Sequence, residues 1–410
     1  MTRTPPARAP ALGILALNGG ASSLKFALFN ANPPLTRILD GKIDRIGLPE
    51  ATLVLRRAGE TSKTQTLEAK DQRGAVAALL PRIASELTRG ELGGIGHRIV
   101  HGGNRHNEPC IITAEVRAEL QRTSQLDPEH LPLELDLIDR VGQQWPDVVQ
   151  IACFDTAFHK DLPKVAQLLP LPRRFFEAGV RRYGFHGLSY TFLLEELERT
   201  SGQQAASGRL VLAHLGSGTS LTAVAGRRSI DTTMAFTPAS GVPMGTRSGD
   251  LDPGIVGYLA RTEGMSTERF IQLVNRESGL LGISGVSSDI RDLLARAPVD
   301  VHAAEAIDLF CYEITKRIGA LAAAMGGLDG LVFTGGIGEN AATIRARICE
   351  KLGFLGLHLD PSKNEAGVPV ISQDGATVTI RVIRTDEERV IAEAVARILE
   401  TDPRAKAGAR

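Results

Sequence analysis

Hydrophobic and polar positions along this chain follow two periods, one typical of β-strands and the other typical of α-helices. Short β-rich runs separated by Gly/Ser turns predict strands and hairpins, and apolar residues at helical spacing predict amphipathic helices. The strand-type segments are 12–57, 93–103, 148–154, 210–230 and 331–334, and the helical ones are 73–90, 131–144 and 304–327. Because strands and helices alternate throughout, the pattern predicts an α/β fold.

One turn pattern occurs in both halves of the chain. GILALNGGASSLKFALFN (13–30) and LVLAHLGSGTSLTAVAG (210–226) each predict a hairpin closed by a Gly/Ser turn. Aligned without gaps, they pair Asn18 with Leu215, Gly19 with Gly216, Ser23 with Ser220 and Leu24 with Leu221. Glycine lets backbone N–H groups approach an anion, and serine adds hydroxyl donors. The repeat therefore favours two related domains that bind one polyphosphate, over two ordinary hairpin turns.

Composition limits the classes of function. With 410 residues the chain has room for two or three domains, and its net charge of zero gives no sign of nucleic acid or an acidic membrane as a partner. Anion recognition must therefore be local. No apolar stretch is long enough to span a bilayer. The cysteines form no CxxC pair, which predicts reduced thiols in a cytoplasmic protein; they are Cys110, Cys153, Cys311 and Cys349. Residues 1–12 and 402–410 are predicted to be disordered tails.

Two further segments look like helix starts with possible roles. Thr334–Asn340, TGGIGEN, follows a strand and opens a helix, so its N–H groups could face phosphate or ribose. No segment of the chain matches a P-loop or a dinucleotide-binding GxGxxG unit. At the final helix, Thr385 and Glu388 match a capping box.

Arginines and acids in unusual surroundings are the remaining candidates for chemistry. Arg98 and Arg247 lie in Gly-rich, partly apolar segments, where guanidinium groups often bind oxyanions in bidentate fashion. Asp155 ends a predicted buried strand. Asn18 together with a distant acid such as Glu387 would suit Mg²⁺, although an acid in the first turn of a helix also complements the helix dipole.

Histidines occur in the same Gly-rich segments. His97 and His101 flank Arg98 and are interpreted as core or capping residues. His186 precedes a helical run, and His214 precedes the second hairpin turn. None of these residues forms a convincing zinc-binding spacing with carboxylate or thiolate partners.

These segments together resemble the acetate and propionate kinase family, within the actin-like phosphotransferases. The resemblance extends from about residue 13 to residue 400 and rests on long blocks in family order. The blocks are LNGGASSLKF, GHRIVHGG, FDTAFH, RRYGFHGLS, HLGSGTSL, DTTMAFTP, MGTRSGDLDPG, SSDIRD, FTGGIGEN and TDEERVIA.

The resemblance implies a fold and an activity. The fold is α/β, a two-domain actin-like (ribonuclease H-like) duplicated fold with an interdomain cleft. Its N-terminal domain would comprise residues 13–158 plus 386–402, and its C-terminal nucleotide-binding domain would comprise 159–385. The activity is reversible, Mg²⁺-dependent (or Mn²⁺-dependent) phosphoryl transfer from ATP to acetate, giving acetyl phosphate and ADP. A homodimer and a cytoplasmic location are also implied, with no nucleic-acid or membrane partner.

The resemblance also assigns roles to residues. Asn18 and Glu387 would hold the metal, and Asp155, His186 and Arg247 would be catalytic. Arg98, Val100, Phe185 and Pro238 would bind the carboxylate. The nucleotide would contact Lys25, His214, Leu215, Gly216, Ser217, Gly218, Asp289, Ile290, Arg291, Gly336, Ile337, Gly338, Glu339 and Asn340. Because a carboxylate is already ionised near neutral pH, we expect Asp155 to orient an arginine or a metal-bound water rather than to remove a proton.

Several positions depart from the family pattern. Ala21 replaces a turn serine, Ser217 replaces an asparagine, and Leu188 and Tyr190 replace threonine and histidine. Glu129 stands where an apolar leucine would line the acyl pocket, so the acid could also be propionate, butyrate or a polar small acid.

Two other classes of function remain open as alternatives to a carboxylate kinase. An actin-like ATP-driven switch would have no need of two arginines directed at a second anion. A sugar kinase of similar fold would need an aspartate base that activates a hydroxyl group.

Overall fold

A computed structural model describes residues 13–20, 23–47, 50–87 and 92–401. These residues form two compact units: unit 1 contains those up to Ala157 and those from Asp386 onward, and unit 2 is Phe158–Thr385. The predicted tails at 1–12 and 402–410, and the substituted turn position Ala21, lie outside the described residues. No helix in the described ranges is long and apolar enough to cross a membrane.

Unit 1 is built on a mixed sheet that begins with the first predicted hairpin. Its strands are β1 (Gly13–Gly19), β2 (Leu24–Asn30), β3 (Thr36–Asp44), β4 (Ala51–Arg57), β5 (Lys63–Leu67), β6 (Leu92–Ile99), β7 (Cys110–Ile111) and β8 (Val149–Phe154). In the described part of the chain their order is β5-β4-β3-β2-β1-β6-β8-β7. The meander from β1 to β5 is antiparallel, whereas β6 is parallel to both β1 and β8. The α/β prediction and the first hairpin are thereby confirmed.

The helices of unit 1 are α1 (Gln72–Ser85), α2 (Ala114–Thr123), α3 (Leu131–Gln144) and the last helix of the chain, α16 (Glu387–Thr401). Three of them, α1, α3 and α16, pack on this sheet through buried apolar residues, and α2 packs against α3. The predicted helix 131–144 is confirmed at both ends. On β6, a Cβ atom at Gly96 would lie 2.3 Å from Ile391 Cγ2, and one at Gly94 would lie 2.8 Å from Val395 Cγ1. Glycines on β6 therefore allow α16 to approach the sheet closely.

Unit 2 repeats the same strand order. Its strands are β9 (Leu210–Leu215), β10 (Thr219–Ala225), β11 (Arg228–Thr232), β12 (Gly330–Thr334) and β13 (Thr379–Val382). Their order among the described residues is β11-β10-β9-β12-β13, which matches β3-β2-β1-β6-β8 in unit 1. In both sheets the first three strands of an antiparallel meander are followed by parallel strands, and unit 1 extends its meander by β4 and β5. This matching topology confirms the duplicated α/β fold.

The gapless alignment of the two turns is wrong in detail. The first hairpin closes with Gly19 opposite Leu24, and the second closes with Leu215 opposite Thr219. The second loop is thus shorter, and Ser220 is a buried residue of β10 rather than a hydroxyl donor in the turn. Turn length depends on local backbone geometry, which the hydrophobic pattern does not encode.

Helices of unit 2 surround its sheet and a large apolar core centred on one long helix. They are α4 (Lys164–Gln167), α5 (Arg173–Glu177), α6 (Gly187–Ser201), α7 (Gln203–Ser207), α8 (Gly254–Glu263), α9 (Thr267–Arg276), α10 (Gly279–Ser284), α11 (Ile290–Arg296), α12 (Val301–Ala324), α13 (Gly335–Asn340), α14 (Ala342–Cys349) and α15 (Pro361–Ala366). Short 3-10 helices occur at Ala157–His159 and Gly353–Leu355. The predicted helix 304–327 is α12, and Gly326 and Gly327 follow it with positive φ.

The predicted capping box at the last helix is also wrong. Asp386 caps α16, because its Oδ1 accepts from Arg389 N at 3.1 Å. Thr385 belongs to unit 2, and the side chain of Glu388 bonds Asn18 instead of the helix backbone. A short-range motif was therefore overridden by tertiary contacts.

Candidate active site

Three oxygen-bearing side chains converge in unit 1 where β1 meets α16. The Asn18 amide Nδ2 donates to Glu387 Oε2 at 2.7 Å and to Glu388 Oε1 at 2.9 Å. All three residues are buried. Burial raises the pKa of Glu388; the charge of Glu387 adds to this, while the charge of Lys25 opposes it. The sequence predicted Asn18 and Glu387 but not Glu388, although the pair of adjacent acids was a signal.

Arg98 and Asp155 form an ion pair at the ends of parallel strands β6 and β8. Arg98 Nε donates to both oxygens of Asp155, at 3.1 and 3.0 Å, and Nη2 donates to Oδ2 at 2.6 Å. Nη1 donates to the carbonyl of Gly19 at 2.8 Å. Burial opposes the charged form of Arg98, but the carboxylate of Asp155 outweighs it and raises the pKa of the guanidinium. Arg98 is therefore a fixed cation whose orientation is set by Asp155 and by the first hairpin turn.

A buried carboxyl group lies next to this pair. Glu134 on α3 is 5% exposed, and its oxygens accept from Val100 N at 3.2 and 3.0 Å. Burial raises the pKa of Glu134 to about 8, although the charge of Arg98 and the bond from Val100 act against this. Sequence reasoning missed Glu134. Its signal was its spacing, because residues 134, 138 and 141 lie on the apolar face of α3.

The other unit 1 residues singled out in the sequence analysis differ in how deeply they are buried. Lys25 is exposed on β2, and its charge acts on Glu388. Val100 is buried just after β6, and Glu129 is half-buried in the turn before α3. His97 is a core residue, as interpreted: its Nε2 lies 2.7 Å from Gln150 Oε1, and burial lowers its pKa to about 4.

In unit 2 the Gly-rich segments lie side by side. A Cβ atom at Gly216 would lie 3.9 Å from Gly336 N, and one at Gly335 would lie 2.7 Å from the carbonyl oxygen of Leu215. Gly245 joins a third segment, because its N–H donates to Ser217 O at 3.3 Å and its Cβ position lies 3.2 Å from Ser288 O. The structure thus brings the segments at 214–218, 244–247, 288–291 and 335–338 together.

His186 and Arg247 face one of these turns. A Cβ atom at Gly218 would lie 3.3 Å from His186 Nε2 and 3.6 Å from Arg247 Nη1. Arg247 Nη1 also donates to the carbonyl of Pro238 at 3.2 Å. His186 has left-handed backbone angles, φ 60° and ψ 26°, just before α6. Such angles are uncommon outside glycine and are associated with functional positions.

Behind His186 lies a polar network that sequence reasoning missed. The His186 ring stacks on His214 at 4.2 Å, and its Nδ1 lies 2.8 Å from Ser220 Oγ. Ser220 Oγ is in turn 2.5 Å from the hydroxyl of Tyr190. The hydroxyl of Ser189 lies 2.9 Å from His214 Nδ1. These contacts join residues distant in sequence, so no local pattern could have indicated them.

Most of the remaining unit 2 residues named in the sequence analysis have side chains that are buried or that bond neighbouring groups. Leu215, Ile290 and Gly338 are buried, as is Phe185, whose carbonyl oxygen lies 3.1 Å from His159 Nε2. Arg291 is exposed and pairs with Asp289. Within α13, Ile337 is half-buried, and Asn340 Nδ2 donates to Gly336 O at 2.9 Å.

Glu339 is predicted to contact the nucleotide, but its side chain bonds its own unit. Glu339 Oε1 accepts from Gly335 N at 3.0 Å and from Thr385 N at 3.2 Å. Ser189 Oγ donates to Thr385 Oγ1 at 3.0 Å. Glu339 therefore links the Gly-rich start of α13 to Thr385, the last residue of unit 2.

The donor set of unit 1 fits a hard divalent cation. Glu387 and Glu388 supply carboxylate oxygens, whereas Asn18 faces both carboxylates with its Nδ2 and would supply its amide oxygen after rotation of the amide group. Mg²⁺ prefers such oxygen ligands together with water and substrate phosphates. Desolvation and the nearby charge of Glu387 both disfavour the charged form of Glu388, and a cation would offset both effects. Among the described residues no group of three or more His, Cys, Asp or Glu side chains could hold a metal by itself.

Known proteins match almost the whole chain. The profile of the Acetokinase family matches residues 13–393. An acetate kinase of Rhodopseudomonas palustris (strain TIE-1) is 45% identical over 393 residues, which cover 94% of this chain and 98% of the relative. A propionate kinase of Citrobacter rodentium is 45% identical over 390 residues, 94% of this chain and 96% of the relative. The crystal structure of Porphyromonas gingivalis acetate kinase has a TM-score of 0.84 and 35% identity, covering 95% of this chain and all of that one. The chain belongs to the acetokinase family.

Proposed function

We propose that this protein is an acetate kinase, which transfers a phosphoryl group reversibly from ATP to acetate to give acetyl phosphate and ADP. The observation that carries the proposal is the Arg98–Asp155 pair. A guanidinium has five N–H donors, and the bonds to Asp155 and Gly19 use three of them. No hydrogen bond within the described residues uses the other two, so these remain for a substrate carboxylate.

The main barrier to this reaction is electrostatic. At ~4 Å, two like unit charges repel by about 4 kcal/mol at an effective dielectric constant of about 20. Phosphoryl transfer is catalysed mainly by positioning and by charge stabilisation. Arg98 in unit 1 would bind the carboxylate, and Arg247 and His186 in unit 2 would stabilise the phosphoryl group in transit.

Asp155 has the role of orienting Arg98. Both of its oxygens already accept hydrogen bonds from the guanidinium. Such a carboxylate is poorly placed to remove a proton, and an ionised acceptor needs no base. The same pairing argues against a sugar kinase, which would need an accessible aspartate base.

ATP and Mg²⁺ (or Mn²⁺) are the proposed co-substrate and cofactor. Asn18 and Glu387 would hold the metal, with Glu388 beside them. When bound, the metal supplies positive charge to the phosphate oxygens. The Gly-rich turns at 214–218 and 336–340, together with 289–291, would bind the nucleotide through backbone N–H groups.

Propionate is the second candidate substrate. The propionate kinase relative is as similar in sequence as the acetate kinase relative. Acid preference would depend on Val100, Phe185 and Pro238, and on Glu129 at the proposed leucine position of the acyl pocket.

A homodimer and a cytoplasmic location complete the proposal. Helices α8 and α9 bury none of their residues within the described chain, although both carry apolar side chains. Exposed apolar side chains include Tyr258 at 58% and Ile271 at 45%. A second copy of the chain would cover this face. Four free cysteines, of which three are buried, are in keeping with a reducing compartment.

A hydroxamate assay tests the activity. Purified protein is given ATP and Mg²⁺ with acetate, propionate or butyrate, and kcat/KM is measured for each acid, with EDTA as the control for metal dependence. We expect acyl phosphate from acetate and propionate. Glu129→Leu should raise the propionate-to-acetate ratio of kcat/KM by up to about tenfold, as one methylene group commonly does, whereas Glu129→Gln should not. ATP hydrolysis without any acyl phosphate would instead indicate an ATP-driven switch.

A further inference from the structure

A buried hydrogen-bond chain runs from Tyr190 to His186. The Tyr190 hydroxyl lies 2.5 Å from Ser220 Oγ, and Ser220 Oγ lies 2.8 Å from His186 Nδ1. Tyr190 and Ser220 are both 0% exposed. The opposite ring nitrogen, Nε2, is the one that faces Gly218 and Arg247. One edge of the imidazole is thus fixed by protein, and the other faces the Gly-rich turn.

The direction of this chain decides which nitrogen of His186 carries the proton. Each hydroxyl has one hydrogen to donate. If Tyr190 donates to Ser220, then Ser220 donates to Nδ1, and the neutral ring carries its hydrogen on Nε2. In the reverse order Nδ1 carries the hydrogen, and a lone pair on Nε2 faces the Gly218 turn. A phenol is more acidic than an alcohol, so the first order is favoured.

We propose that Tyr190 is a positioning residue which, through Ser220, holds His186 as the Nε2–H tautomer. The inference rests on the proposed function, in which Nε2–H donates to the phosphoryl group in transit. An Nε2 lone pair would repel that group, so the tautomer decides whether His186 helps or hinders the transfer.

The surroundings of both residues support this role. Ser220 lies opposite His214 in the β9–β10 pair, so one cross-strand pair supplies both the hydrogen bond to His186 and the stacked ring. The Tyr190 ring packs against Phe158 and His159 at centroid distances of 5.6 and 5.8 Å. Phenylalanine would keep this packing and lose only the hydroxyl.

The family resemblance drawn from the sequence implies histidine at position 190, and this chain has tyrosine there instead. A histidine side chain can present either a donor or an acceptor to Ser220, depending on its own tautomer. A tyrosine hydroxyl with one acidic proton makes the direction of donation more definite.

The test measures the tautomer directly in Tyr190→Phe and Ser220→Ala. Solid-state NMR of full-length protein labelled with ¹⁵N-histidine distinguishes protonated from unprotonated ring nitrogens, and His186→Gln assigns the His186 signals. We expect Nε2–H to predominate in the natural chain and both tautomers to be populated in each variant. The value of kcat should fall about fivefold, as for one hydrogen bond of about 1 kcal/mol, with KM for ATP and acetate unchanged. The double variant should lose little more than either single variant.

Tyr183→Phe is the matched control. It removes another buried hydroxyl of unit 2, one that donates to Gly179 O at 2.8 Å outside this chain, and should leave both kcat and the His186 signals unchanged. An unchanged tautomer in folded Tyr190→Phe and Ser220→Ala overturns the proposal. Absence of carboxylate kinase activity in the natural chain would refute the proposed function instead, and the NMR result would still decide the tautomer.

Discussion

At the scale of single residues, the charged groups in the candidate site of unit 1 are subject to two opposite effects. Burial disfavours the charged form of a side chain, and an ion pair favours it. Arg98 is paired with Asp155, so its charge is retained despite burial. Among the described residues the side chain of Glu134 accepts hydrogen bonds from the backbone N–H of Val100 and from no side chain, and burial dominates its pKa. Of these two carboxyl groups near the same arginine, only Asp155 contacts the guanidinium directly, and Glu134 is the one whose pKa burial raises.

Glu134 should make the stability of unit 1 depend on pH. Its pKa is raised from 4.5 to about 8 in the folded chain, so the folded state holds a proton that the unfolded state has lost. This contribution is fully present below pH 4.5 and is lost as pH rises toward 8. Each pKa unit corresponds to ~1.4 kcal/mol, so the effect could reach a few kcal/mol.

We therefore expect Glu134→Gln to flatten the pH dependence of the free energy of unfolding between pH 5 and 8. Glutamine keeps an oxygen acceptor for Val100 N and does not titrate. Urea unfolding followed by fluorescence of Trp145, the single tryptophan and the residue after α3, reports on unit 1. Arg98, Asp127 and Asp155 also act on this carboxyl group and are unchanged in the comparison. Equal slopes in the two proteins would contradict the prediction.

At the scale of elements, hydrophobic periodicity identified most of the strands but only a few of the helices, namely α1, α3, α12 and α16, each of which buries an apolar face. Helix 131–144 and both hairpins were predicted in this way. Features that depend on contacts between residues distant in sequence were not predicted. Asp386 rather than Thr385 caps α16, and Ser220 contacts a histidine that lies far away in sequence. Glu134 has the spacing of an apolar residue, but burial of a glutamate needs a tertiary environment that periodicity does not describe.

Helix α14 holds in place the segment 336–340, which is predicted to bind the nucleotide. Arg345 on α14 is 1% exposed, and its Nη1 donates to the carbonyls of Gly338 and Glu339 at 2.9 and 3.1 Å. Its Nε and Nη2 donate to Asn364 Oδ1 and O, both at 2.8 Å. Burial lowers the pKa of Arg345. One guanidinium thus connects the end of α13 to α15.

Arg345→Lys should loosen the 336–340 segment. A lysine ammonium cannot reproduce the planar fork of donors, so buried carbonyls lose their partners at about 1–3 kcal/mol for each such loss. We expect a lower melting temperature by calorimetry and a larger rise in KM for ATP than in KM for acetate. Arg347→Lys, on the exposed side of the same helix beside Asp308, is the control and should change neither. Equal rises in the two KM values would argue against a role in positioning the nucleotide segment.

At the scale of the whole molecule, the two units share one strand order but carry different chemistry. Unit 1 has the carboxylates and the Arg98–Asp155 pair, and unit 2 has the Gly-rich turns with His186 and Arg247. The repeated turn pointed to this duplication, because a shared topology preserves the hairpin where other sequence similarity is lost. It could not indicate which side chains each copy uses, since those depend on insertions after the shared strands.

The same scale includes the proposed homodimer, whose interface would include the exposed apolar side chains of α8 and α9. A two-fold interface pairs the same patch on both copies, so one charged substitution places two like charges against each other or against apolar surface. A stable interface covers about 1,600 Å² in total, enough to include the apolar side chains of both helices. Tyr258→Asp with Ile271→Asp should therefore convert a dimer to a monomer in sedimentation velocity. Val299→Asp changes an apolar residue that is 92% exposed elsewhere in unit 2, and should leave the dimer intact. If the natural chain sediments as a monomer at micromolar concentration, the dimer proposal fails. If Val299→Asp dissociates the dimer and the α8–α9 variant does not, the interface lies on another face.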